Sequence, residues 1–83
     1  MSLVALGPHF VRFHGPALDR MARGALSVAA VSVIERRPEP GWGGQRLHYT
    51  VLVEARDPED AVRRVEDALG SRGSYSGFGA ERG

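Results

Sequence analysis

Three imidazoles stand in this sequence, the side-chain type that most often carries a proton or a metal ion: His9, His14 and His48. Phe10, Arg12 and His14 recur at a spacing of two, and so do His48, Thr50, Leu52 and Glu54. In an extended chain that period puts each set on one side of its strand. Two imidazoles brought face to face, with Arg12 or Glu54 beside them, have the chemistry to hold a divalent cation or to act as general acid and base. No His-x-His or His-x-x-x-His spacing places two ligands on one element. The sequence is therefore read as carrying two histidines on a sheet surface, with no metal, cofactor or catalytic residue assigned. A small-molecule site is expected on the face that carries Phe10, Arg12, His14, His48 and Thr50. His9, beside Pro8, is read as the residue that begins its strand.

Other chemistries are excluded by composition. The chain has no cysteine, which removes disulfides and thiolate zinc sites. It has no lysine, so the glycines near the C-terminus are not followed by a Walker-type Lys. A net charge of +1 argues against binding nucleic acid through bulk electrostatics, and Arg36-Arg37 and Arg63-Arg64 are read as solvated faces. No apolar run is long enough to cross a bilayer, and no charged, then hydrophobic, leader opens the chain. A cytoplasmic location with no membrane partner is the expectation.

The elements that position these side chains are organised around residues 45–69. Leu47, Tyr49, Val51, Val53 and Ala55 alternate with His48, Thr50, Leu52 and Glu54, which predicts a strand with one buried face. Asp57 then caps a helix, with Pro58 at its first position, Glu59 and Asp60 at the positive end of its dipole, and Gly70 at its end. Asp60 also stands where a capping-box partner belongs. Upstream, residues 9–14 predict a strand with Val11 and Phe13 inward, after an interruption at Gly7-Pro8. Gly15-Pro16 turns the chain into a helix carrying Leu18, Met21, Ala22, Ala25 and Leu26 on its apolar side. Residues 27–37 read as a strand apolar on both parities up to Glu35, hence covered on both sides. Pro38, Pro40, Gly41, Gly43 and Gly44 mark a hairpin loop, and that loop holds the sole tryptophan, Trp42.

One domain over residues 1–83 is expected, its core at about 8–70, with 71–83 forming a weak last strand near 74–80 and a loose tail. The order βαββαβ resembles the ferredoxin-like, split βαβ fold: an α+β domain with a four-stranded antiparallel sheet and two helices on one face. The corner at residues 53–65 is similar to that of RNA-recognition motifs, whose strands display stacking aromatics. Here only Phe10 holds such a position, so nucleic acid is not the expected partner. Acylphosphatases share the topology but use an Asn, and the chain has none. The outline also resembles small dimeric α+β-barrel proteins, in which two sheets pack open face to open face. That resemblance implies a homodimer, with Trp42 and Leu52 assigned to its interface. The function expected is a small binding or regulatory module, not an enzyme, that self-associates through its sheet. The alternatives are an enzyme of the dimeric barrel type using a histidine acid/base, and an RNA-recognition-motif-like binder.

Overall fold

The computed structural model describes residues 5–41, 43–70 and 75–83; Trp42 lies outside the described residues. The chain forms β1 (Gly7–Gly15), α1 (Arg20–Val28), β2 (Ser32–Pro38), β3 (Leu47–Ala55), α2 (Pro58–Leu69) and β4 (Ser76–Arg82). The strands make one antiparallel sheet in the order β2-β3-β1-β4, the ferredoxin-like arrangement with β1 and β3 at its centre. Helix α2 packs over β1, β3 and β4, and α1 packs against α2.

Strict alternation on the central strands builds the core. Val11 and Phe13 of β1 and Tyr49, Val51 and Val53 of β3 are buried with Ala22 and Leu26 of α1 and Ala61, Val65 and Leu69 of α2. Phe13 is the hub: its ring stacks on Tyr49 at 5.1 Å and on Phe78 at 5.3 Å, and meets Tyr75 edge-on at 5.7 Å. Such pairs add roughly 0.5–1.5 kcal/mol each beyond area burial. The Tyr49 hydroxyl donates to the Pro16 carbonyl at 2.9 Å and accepts the Leu18 amide at 3.1 Å. Both groups of the β1–α1 connection are thereby satisfied, and burial pushes the Tyr49 phenol up from its ordinary pKa.

Four local expectations are corrected. Strand β1 begins at Gly7, with Pro8 in register opposite Glu54, so the Gly-Pro pair does not delay it. His9 does more than begin that strand: it is buried on the core face, and its Nδ1 donates to the Gly7 carbonyl at 2.8 Å. Helix α1 starts four residues after Pro16, because the Asp19 carboxylate accepts the Ala22 amide at 2.7 Å and caps it there. Leu18 therefore lies before the helix, and Met21 points to solvent at 70 % exposure. Ser27 and Val28 belong to α1, not to β2, since the helix is closed by Ala30 to Ser27 and Val31 to Leu26 backbone bonds. That pattern is a Schellman motif, and it puts Ala30 at φ 60° where glycine is the usual residue.

The two-sided apolar character of β2 does not mean two-sided cover. Every residue of the strand is exposed, including Val33 at 43 % and Ile34 at 51 %, because β2 is the sheet edge beyond the reach of α2. The last strand is real and longer than expected at its end, running to Arg82.

At the start of α2, Asp57 accepts the Asp60 amide at 2.8 Å. Asp60 reaches back past the cap to accept the Arg56 amide at 2.9 Å, and Arg64 Nε donates to the same oxygen at 2.9 Å. The backbone bond from Arg56, helped by Arg64, holds the buried Asp60 carboxyl at about 2, below its ordinary 3.8. A depressed folded pKa stabilises the fold above the unfolded value, and that contribution fades as pH falls through the folded one. The melting-temperature gap between wild type and Asp60→Asn should therefore narrow as pH drops from about 4 towards 2; a gap independent of pH contradicts the assignment. Ala30→Gly should raise stability by about 0.5–1 kcal/mol in urea unfolding, by relieving the left-handed alanine; a loss of stability contradicts it.

Candidate functional site

The side of the sheet opposite the helices carries every residue singled out for binding. In the β1–β3 register Phe10 faces Leu52, Arg12 faces Thr50 and His14 faces His48. Phe10, His14, His48, Thr50 and Leu52 are half-buried and Arg12 is exposed, while their neighbours along each strand are core.

These residues separate into two groups. At one end the His14 and His48 rings lie with centroids 4.0 Å apart and planes tilted by 48°. Between them reaches a residue missed in the sequence, Glu39, which follows β2 directly. His14 Nδ1 donates to Glu39 Oε1 at 3.0 Å, and His48 Nε2 stands 3.8 Å from the same oxygen. Arg46 Nε donates to the other oxygen, Oε2, at 3.0 Å, and its terminal nitrogen reaches Ser76 Oγ at 3.4 Å. Burial alone would push the Glu39 carboxyl up, but the hydrogen bonds and charges of Arg46 and His14 outweigh it and lower the pKa. Glu54, considered beside the histidines from the sequence, instead faces Pro8 at the far end of the strand pair, and Arg12 pairs with Glu81 at 2.7 Å.

Glu39 is placed by its hairpin. Its backbone amide donates to the Arg46 carbonyl at 2.9 Å, which continues the β2–β3 ladder by one rung and sets both side chains on the open face. A signal existed in the sequence: an acidic and a basic residue flanking a Gly-rich loop at positions that become cross-strand neighbours. Using it required the loop closure to be known.

The His14 ring is held from the other side by β4. Pairing of β1 with β4 shifts between Arg12 and His14, leaving Gly77 at φ 71° beside the imidazole. A Cβ on Gly77 would sit 2.5 Å from His14 Cδ2 and 2.8 Å from its Nε2. The bulge thus aims the ring toward Glu39, a common use of bulges.

The second group forms a shallow depression of about 540 Å³ lined by Phe10, Arg12, Ile34, Glu35, Arg37, Thr50 and Glu81. Its size lies within the range of small-molecule sites. Arg37 faces His48 in the β2–β3 register, so the depression and the histidine cluster adjoin.

No family model, curated protein or solved structure matches this chain. The class it belongs to is thus defined by fold and site alone: a ferredoxin-like α+β domain with a polar cluster on its open sheet face.

Replacing Gly77 by Ala forces a left-handed alanine and a contact with the His14 ring at once. The strain alone costs on the order of 1–3 kcal/mol. Gly77→Ala should lower the melting temperature and shift the His14 and His48 ring resonances, whereas Gly79→Ala, with open space beside it, should leave those resonances in place. Unchanged His14 signals in Gly77→Ala contradict the clamp.

Proposed function

We propose that the protein is a small binding module without catalysis of its own, which self-associates through its sheet and holds its ligand on the open face. One observation carries the reading. A half-buried polar cluster at His14, His48 and Glu39 adjoins a depression that is apolar at Phe10 and Ile34 and charged at the Arg12–Glu81 pair, on the sheet face opposite α1 and α2. A face of this mixed kind suits a ligand with a polar head, together with a second copy that buries the apolar remainder. The exposed Ile34, which lines that depression from the edge strand, extends the surface available to that copy. A chain of 83 residues gains from such burial, because small domains leave a large share of their surface in water.

A second reading, a small enzyme using a histidine acid/base, has one observation in its favour: Glu39 orients the His14 ring through a 3.0 Å bond, as a carboxylate orients a catalytic imidazole. It separates from the first by its response to His14→Gln, which would abolish turnover while leaving ligand affinity largely intact.

Light scattering on a sizing column tests self-association. Wild type should elute at about twice the 9.0 kDa chain mass, and Ile34→Arg, at a position already in solvent, should weaken the dimer by roughly tenfold or more, the loss expected from charging an apolar contact. A wild-type monomer at every concentration overturns the self-association reading.

A further inference from the structure

The histidine cluster has the donors and geometry of an open metal site. One donor atom from each of His14, Glu39 and His48 lies within 4.8 Å of those of the others. A zinc ion with nitrogen ligands at 2.0–2.1 Å places tetrahedral donors about 3.4 Å apart. The separations of 3.0 Å and 3.8 Å to Glu39 Oε1 straddle that distance, so small side-chain rotations close the set without moving the sheet.

The supporting contacts are also in place. Arg46 fixes the carboxylate through Oε2 and leaves Oε1 for a ligand, and the Gly77 bulge holds the His14 ring in position. Side-chain exposures of 29 %, 19 % and 36 % for His14, Glu39 and His48 leave further coordination positions facing solvent. Two imidazoles and one carboxylate do not make the cage of six or more oxygens that calcium takes. They suit zinc, cobalt, nickel or copper, and two His with one Glu is an established zinc donor set.

We propose that His14, Glu39 and His48 bind one divalent transition-metal ion, with zinc as the type ion and at least one coordination position open. This rests on reading the open face as a binding surface, and it names what one end of that face takes.

The test is calorimetric titration of the full chain, stripped with a chelator and desalted, with zinc chloride, alongside cobalt(II) absorbance. One zinc per chain should bind, cobalt should give the intense visible bands of a low-coordinate nitrogen site, and His14→Gln, His48→Gln and Glu39→Gln should each weaken binding by roughly tenfold or more, as the loss of one ligand of three implies. Glu66→Gln, on the exposed side of α2, should bind as wild type does. Should a variant fail to fold, cobalt added to wild type should still broaden the His14 and His48 ring resonances ahead of His9. Absence of zinc and cobalt uptake, or uptake unchanged in all three variants, overturns the metal site. If organic fragments nevertheless shift open-face resonances of the chelated protein, the binding-module reading survives. If neither metals nor fragments perturb that face, both fall.

Discussion

The register of β1 against β3 is the constraint on which the rest depends. Val11 faces Val51 and Phe13 faces Tyr49, and all four side chains are fully or almost fully buried. Slipping β1 by one residue against β3 would turn Val11 and Phe13 outward and drive Phe10, Arg12 and His14 into the core. Burying an unpaired guanidinium costs several kcal/mol, so the slip has no stable outcome. The same register leaves His14 opposite His48 on the other face. The pair is thus a geometric consequence of core packing. Whatever the open face does, its histidines are held in place by the Phe13 aromatic cluster on the far side of the sheet.

Period-two alternation made the central strands and their two faces legible, and the Asp57-Pro58 signal made α2 legible, because each is written in neighbouring residues. The order βαββαβ followed from those pieces. What stayed hidden depends on distant closure. Ser27 and Val28 look like strand by their β-branched surroundings, yet a Schellman closure at Ala30 keeps them helical with no glycine to announce it. Met21 has helical spacing but falls on the wet side once Asp19, not Pro16, sets the phase. Glu39 is hidden for the same kind of reason: it belongs to the site only through the hairpin rung with Arg46. The sequence showed both histidines and not the carboxylate between them.

Strand β2 carries two opposed tendencies. Its Val33 and Ile34 are exposed, which invites pairing with another chain. It also carries Glu35, Arg36, Arg37 and Pro38, and its pairing with β3 shifts between Val33 and Glu35. Charges, proline and a bulge are the devices by which edge strands resist open-ended strand addition. The charged half therefore disfavours pairing along the whole edge, while the apolar half remains free to pack by its side chains. Val33, opposite Val51, lies on the helix side and Ile34 on the open side, so of the two only Ile34 adds apolar surface to the open face.

Glu39 connects these themes, because one carboxylate serves both the hairpin and the cluster. Oε2 is taken by Arg46 across the loop, and Oε1 faces the two imidazoles. A ligand drawn to Oε1 and the histidines would therefore join the hairpin to the central strand pair, at the base of a loop where Gly41, Gly43 and Gly44 all adopt left-handed angles. Opening the hairpin removes Glu39 and with it one third of the donor set. By linkage, anything that binds the closed arrangement better than the open one must stabilise the closed hairpin by the same free energy. Binding at the cluster would consequently be coupled to the order of the β2–β3 hairpin, and the Arg46–Glu39 contact already favours the closed hairpin.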